Sequence, residues 1–177
     1  MINTKKVKAT KELITDLVEE FESEFNDYYA TLAKLCDLDK ESTLQILQEF
    51  LTSPDSKFRY YASDILLELD TKMSQEFVLP LLKDVDEYIR HNLCTKLCYY
   101  GDYQAVNALI DVLNNDQSND VRLMAAVALG RIGDKRAIPH LLNTIAHDSG
   151  YDSQGEPVSS AAKRAVDNIT NRSHSKK

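Results

Sequence analysis

The sequence predicts an all-α fold: a right-handed α-solenoid of stacked helix pairs behind an N-terminal helical cap. Three observations predict it. Apolar residues recur every three or four positions through most of the chain, and no run shows the strict alternation of a strand. The chain also repeats itself. Placing Phe58-Arg59, Ile89-Arg90, Val121-Arg122 and Val158-Ser159 in register aligns Ala62, Leu93, Ala125 and Ala162, and then Leu66, Leu97, Leu129 and Val166. The three arginines of this register, Arg59, Arg90 and Arg122, keep a nearly constant interval. Finally, each such helix follows another apolar segment: Phe77 to Leu82, Val106 to Leu113, or Ile138 to Leu142. Two helices per unit at this period mark a solenoid, because one pair cannot bury its apolar face alone and must stack on the next.

Residues 1–40 read as an acidic helical cap. From Thr10 to about Cys36, the residues Leu13, Ile14, Leu17, Val18, Phe21, Phe25, Tyr28, Leu32 and Leu35 form one apolar stripe, with Glu12, Asp16, Glu19, Glu20, Glu22 and Glu24 opposite. Asp39 offers a capping carboxylate for the next helix, which Pro54 closes. Residues 41–171 form the array of about four helix pairs. Within it, Gly101-Asp102 and Gly133-Asp134 are expected to end helices, the glycine in the left-handed conformation and the aspartate capping the next turn. Pro80 and Pro139 are expected in first helical turns, where a missing N–H costs little. Residues 172–177 form a frayed polar tail.

A chain of 177 residues buries about 70% of its unfolded surface, so a core is possible without staples. The first ten residues carry basic side chains without the apolar run of a signal peptide, and no stretch reaches the ~20 apolar residues of a membrane span. The expected location is the cytoplasm. Cys36, Cys94 and Cys98 lack paired spacing, which fits reduced, mostly buried thiols. The net charge of -7 is uneven: residues 1–56 hold 12 acidic and 6 basic side chains, and residues 57–177 hold 16 and 15. That balance argues against a nucleic-acid footprint, which needs clustered cations, and suits a basic protein partner.

Candidate chemistry is sparse. His91, Cys94 and Cys98 stand at i, i+3 and i+7 and share a helix face, but a zinc site needs a further ligand, and ordinary packing is the preferred reading. The acidic segment from Asp148 to Glu156 lacks the alternating oxygen ligands of a calcium loop. No nucleophile motif or phosphate-cradling loop is present, so no catalytic, cofactor or metal residue is expected.

The run from Val121 to Asp134, Val-Arg-Leu-Met-Ala-Ala-Val-Ala-Leu-Gly-Arg-Ile-Gly-Asp, continues into Ala137-Ile138-Pro139-His140-Leu141-Leu142. This sequence closely resembles the short HEAT-like repeat of the phycobilin-lyase type, most strongly over 104–147, fairly over 57–103 and weakly before 57. The resemblance implies that Arg59, Arg90 and Arg122 turn inward and pair with acidic groups of adjacent turns as structural residues. It also implies that the second helix of each pair lines a concave face. The outward set then becomes Tyr60, Tyr61, Asp64 and Glu68, then His91, Asn92, Thr95 and Tyr99, then Met124, Val127 and Arg131, and finally Arg164. Tyrosine, methionine and arginine suit recognition because they combine contact area with a polar handle. The fourth unit departs from the pattern with Ser159 in place of arginine and a longer loop over 148–157, where Tyr151 and Asp152 are further contact candidates or parts of a plain cap. The expected function is a non-catalytic protein-binding module, most concretely an immunity or antitoxin-type inhibitor of a basic toxin. The alternatives are a phycobilin lyase-like chaperone or lyase subunit, and a general scaffold.

Overall fold

The computed structural model describes residues 40–69 and 71–174, together with Lys8, Lys11, Glu12, Thr15 and Asp16. Most of the cap helix expected before Cys36, with Cys36 itself and the Asp39 cap, lies outside the described residues. The chain divides into two compact units, residues 1–70 and 71–177.

In the first unit, α1 (Lys40–Phe50) packs against α2 (Ser56–Leu69). Pro54 stands in the connection, and the carboxylate of Asp55 accepts from the backbone N–H of Lys57 at 2.9 Å, capping α2. Phe50 and Phe58 stack at 4.8 Å across the joint. Ile46, Leu47, Ile65 and Leu66 are fully buried, each contributing about 1.5–3 kcal/mol relative to exposure.

The second unit begins with α3 (Thr71–Val78), which tightens into a 3-10 segment, η1 (Leu79–Lys83), at Pro80. The apolar run from Phe77 to Leu82 is therefore split between two helix types, because proline cannot supply the N–H that would continue the α-helical ladder. Four α-helices come next: α4 (Glu87–Tyr100), α5 (Val106–Asn115), α6 (Asn119–Ile132) and, after η2 (Lys135–Ala137), α7 (Ile138–His147). The last is α8 (Val158–His174). They form two layers. In one, α6 lies between α4 and α8; in the other, α5 touches η1 and α7, and the layers meet through α5 on α6 and α7 on α8.

A helix enclosed from several sides cannot keep a narrow apolar stripe, and α6 shows this: Val121, Leu123, Ala125, Ala126, Ala128, Leu129 and Gly130 are all buried. The small residues set the spacing. A Cβ on Gly130 would come within 2.7 Å of the Ala165 Cα, so α6 and α8 touch almost backbone to backbone.

The two expected glycine stops differ. Gly133 has φ +80 and donates to the Leu129 carbonyl at 3.0 Å, the left-handed cap that only glycine adopts easily. Gly101 does not match the expectation: its φ is -71 and ψ 146, extended backbone open to any residue. Glycine is required there by space, since a Cβ would lie 2.4 Å from the Leu97 carbonyl oxygen. Asp102 and Asp134 cap as expected, accepting from the N–H groups of Gln104 and Arg136.

Candidate functional site

Each helix pair of the second unit is joined by a loop, short in the first two and ten residues long in the third, and these loops begin with one construction. Asp84, Asp116 and Asp148, evenly spaced along the chain with one to each loop, accept from the backbone N–H two positions on, that of Asp86, Ser118 or Gly150. The arginine at the start of the following helix ties one loop to the next. Arg90 grips Asp116 with two hydrogen bonds of 2.7 and 2.9 Å and donates to the Asp84 carbonyl at 2.9 Å. Arg122 repeats this on Asp148 at 2.8 and 3.1 Å and on the Asp116 carbonyl at 2.9 Å. Arg59 makes the carbonyl half of the motif within the first unit, to Ser53 at 2.8 Å. The inward, structural role expected of Arg90 and Arg122 is what the geometry displays. The planar guanidinium fork matches a carboxylate edge to edge, and both pairs are largely shielded from water. Hydrogen bonding from Arg122 holds the Asp148 carboxyl below its ordinary range despite the opposing effect of partial burial.

Further contacts join the loops into a continuous edge. Ser118 donates to Glu87 at 2.6 Å, Asn119 to the Tyr151 carbonyl at 2.8 Å, and the Ser153 hydroxyl to Asp120 at 2.7 Å. The Ser153 hydrogen bonds keep the Asp120 carboxyl low as well. The 148–157 loop is itself folded. Tyr151 and Pro157 pair as an antiparallel bridge, Gly155 turns with φ +85, and Asp152 accepts from the N–H groups of Gln154 and Glu156. Segments 84–87, 116–120 and 148–157 carry eight acidic side chains and no Lys, Arg or His. Val85 and Tyr88, 94% and 81% exposed, stand on the same edge, as does exposed Tyr151.

Two clefts indent this edge. The first, about 790 Å³, lies between the η1 end and the α5 end and is lined by Lys83, Asp84, Val85, Glu87, Arg90, Asp111 and Asp116. The second, about 460 Å³, lies one repeat further, lined by Asn115, Asp116, Asn119, Arg122, His147 and Asp148.

At the far ends of the same helices, the connections after α4 and α6 form a different edge. Arg131 stacks its guanidinium 4.9 Å from the centre of the Tyr99 ring and donates to the Cys98 carbonyl at 3.2 Å. Arg136 reaches the Tyr103 carbonyl at 2.9 Å and pairs with Asp134 at 2.8 Å, while Arg172 donates to the Arg131 carbonyl. Cations and exposed tyrosines dominate here.

The contact residues expected from the sequence are distributed unequally. Tyr99, Arg131, Tyr151 and Arg164 are exposed, the last paired with Glu156. His91, Asn92, Thr95, Met124, Val127 and Asp152 are half-buried, Thr95 bonding back to the His91 carbonyl. In the first unit, Tyr60, Tyr61 and Glu68 are half-buried, the two rings meeting edge-on at 5.1 Å. Burial first, then Tyr60 and Asp64, push the Tyr61 phenol up to about 12. Asp64 is a correction: expected to face outward, it is 6% exposed, because the whole run from Ala62 to Leu67 is buried and α2 has no outward stripe at that level. Cys94 is buried with its thiol pushed up, and burial raises Cys98 to about 11, so both stay protonated near neutral pH. Among the described residues, no three His, Cys, Asp or Glu side chains converge as a metal site. Sequence reasoning missed the acidic edge with Val85 and Tyr88; the even spacing of Asp84, Asp116 and Asp148 was the available signal.

A family model for HEAT repeats matches residues 74–156. The chain is a HEAT-like repeat protein. The matched span takes in α4 to α7 and both clefts, so the edge just described belongs to the HEAT-like stack itself. The crystal structure of an engineered protein is similar in fold, with a TM-score of 0.54 and 19% identity over 93% of this chain and 83% of that one. No curated protein matches the chain. A HEAT-like stack is a protein-interaction scaffold, an architecture typically without catalysis. No helix among the described residues is long and apolar enough to cross a membrane.

Proposed function

We propose that this HEAT-like protein is a non-catalytic binding module for a basic polypeptide. In its most concrete form it is a cytoplasmic inhibitor of immunity or antitoxin type that masks a basic toxin domain. The observation that carries this reading is the acidic edge, where three tied loop segments bear eight carboxylates and no cation of their own. Such a surface accelerates encounter with a cationic partner and repels acidic competitors. Val85 and Tyr88 supply apolar contact within it, as recognition surfaces require.

The test is a pull-down from native lysate in parallel with a variant carrying Asp86→Asn, Glu87→Gln, Asp152→Asn and Glu156→Gln. Asparagine retains the cap at position 86, so the fold is kept. A basic protein retained by the native chain and lost by the variant supports the reading. Capture of the same partners by both forms overturns it.

A further inference from the structure

We infer that the start of α4 is the docking point for an extended, arginine-bearing segment of the partner, laid across Glu87 and Tyr88 as the protein's own 148–157 loop is laid across Asn119 and Asp120. This rests on the binding function proposed above and adds where, and in what form, the partner is held. The repeat itself supplies the comparison. Asp86-Glu87-Tyr88-Ile89-Arg90 and Ser118-Asn119-Asp120-Val121-Arg122 stand in the same register, each opening with the residue that caps its helix. At α6, the next loop crosses the helix start. The Asn119 amide donates to the Tyr151 carbonyl at 2.8 Å, and the Ser153 N–H and hydroxyl donate to the Asp120 carboxylate at 3.1 and 2.7 Å. The stretch that does this, residues 151–157, has no counterpart one repeat earlier, where the chain passes from Ser118 directly into α6. The start of α4 therefore lacks that cover. Asp120 is half-buried, whereas Tyr88 at the equivalent position is 81% exposed.

The two helix starts differ in what they ask of the segment that covers them. Asn119 gives one hydrogen bond and Asp120 takes two, which suits a neutral loop. At α4 the carboxylates of Asp86 and Glu87 accept from the Tyr88 N–H and the Ser118 hydroxyl, and among the described residues neither forms a salt bridge. Asp116 and Asp148, by contrast, are already held by Arg90 and Arg122. Charge left without a counterion beside an exposed aromatic ring favours a guanidinium, which donates to carboxylates through its fork and stacks on a ring face. The protein uses that combination on its other edge, where Arg131 lies over Tyr99 and donates to the Cys98 carbonyl. A lysine brings the charge without the planar stack. Exposed Val85 offers a surface for the aliphatic stem.

The chain contains no tryptophan, so Tyr88→Trp places a single fluorescent reporter at the docking point and Tyr99→Trp places one on the other edge. Each full-length chain is titrated at low salt with a short peptide of alternating arginine and serine, and with its lysine counterpart. The arginine peptide should shift the Tyr88→Trp emission saturably and leave Tyr99→Trp unchanged. It should bind about fivefold more tightly than the lysine peptide, and Tyr88→Ala should remove that advantage while Tyr88→Phe keeps it. Equal responses of the two reporters, or full affinity in Tyr88→Ala, overturn the docking point; equal affinity of the two peptides overturns the choice of arginine. The basic-partner reading survives either result if the acidic-edge variant still loses its partner. If neither peptide binds while a basic folded protein is still captured, the extended form of the ligand is wrong. If neither peptides nor basic proteins bind, the proposed function fails with it.

Discussion

The two edges of the HEAT-like stack are built from the same helices, yet they are held together by different chemistry. On the acidic edge, each link is an arginine enclosed between a carboxylate of the next loop and a carbonyl of its own, as in Arg122 between Asp148 and Asp116. On the other edge, the arginines lie on the surface: Arg131 over Tyr99, and Arg136 on the Tyr103 carbonyl. Charge and stability are therefore separable in this stack. Inward arginines neutralise Asp116 and Asp148 within the loop framework, so the acidic character of that edge rests on its other carboxylates. The outer arginines, being exposed to water, are expected to contribute less to stability.

Replacing Arg122 by methionine should therefore cost the most, about 3 kcal/mol in urea unfolding, since Asp148 and the Asp116 carbonyl lose a shielded partner. A loss under about 0.5 kcal/mol would put Arg122 among ordinary surface ion pairs. The same pair predicts a pH dependence. Because the folded Asp148 carboxyl lies below its ordinary value, its stabilising effect is complete above the unfolded value of about 3.9 and fades as pH falls through the folded one. Acid unfolding of Asp148→Asn should be correspondingly shallower in that window; an unchanged profile would remove the pair from the account.

On the other edge, Gly133→Ala should cost about 1 kcal/mol, because alanine is strained at φ +80, and thermal unfolding would register it. Smallest of all, Tyr99→Ala should cost about 0.5 kcal/mol, the worth of an exposed cation–π contact. If Tyr99→Ala destabilised as much as Arg122→Met, the contrast between the edges would collapse.

Much of this architecture was legible in the sequence. Helical periodicity and the register of Arg90 and Arg122 carry the repeat, and the left-handed Gly133 follows from its place after an apolar helix. Other features were hidden for physical reasons. Periodicity places a residue on a helix face but does not tell which faces a neighbour covers, so Asp64 reads as solvent-facing although α2 is enclosed there. Gly101 carries the same local signal as Gly133, but its requirement comes from a carbonyl four residues earlier. The near-neutral charge balance of residues 57–177 conceals the acidic edge, because averaging over sequence mixes residues that folding segregates. Tyr60 and Tyr61 read as contacts by residue type, whereas they spend part of their surface on each other.

The most direct measurement is the salt-dependent affinity of a basic partner domain for three forms of the chain. These are the native protein, the acidic-edge variant with Asp86, Glu87, Asp152 and Glu156 neutralised, and an opposite-edge variant with Lys135 and Arg136 changed to glutamine. The acidic-edge variant alone should lose about tenfold or more at low salt, with a flatter salt dependence. Equal losses in both variants, or a larger loss at Lys135 and Arg136, would contradict it.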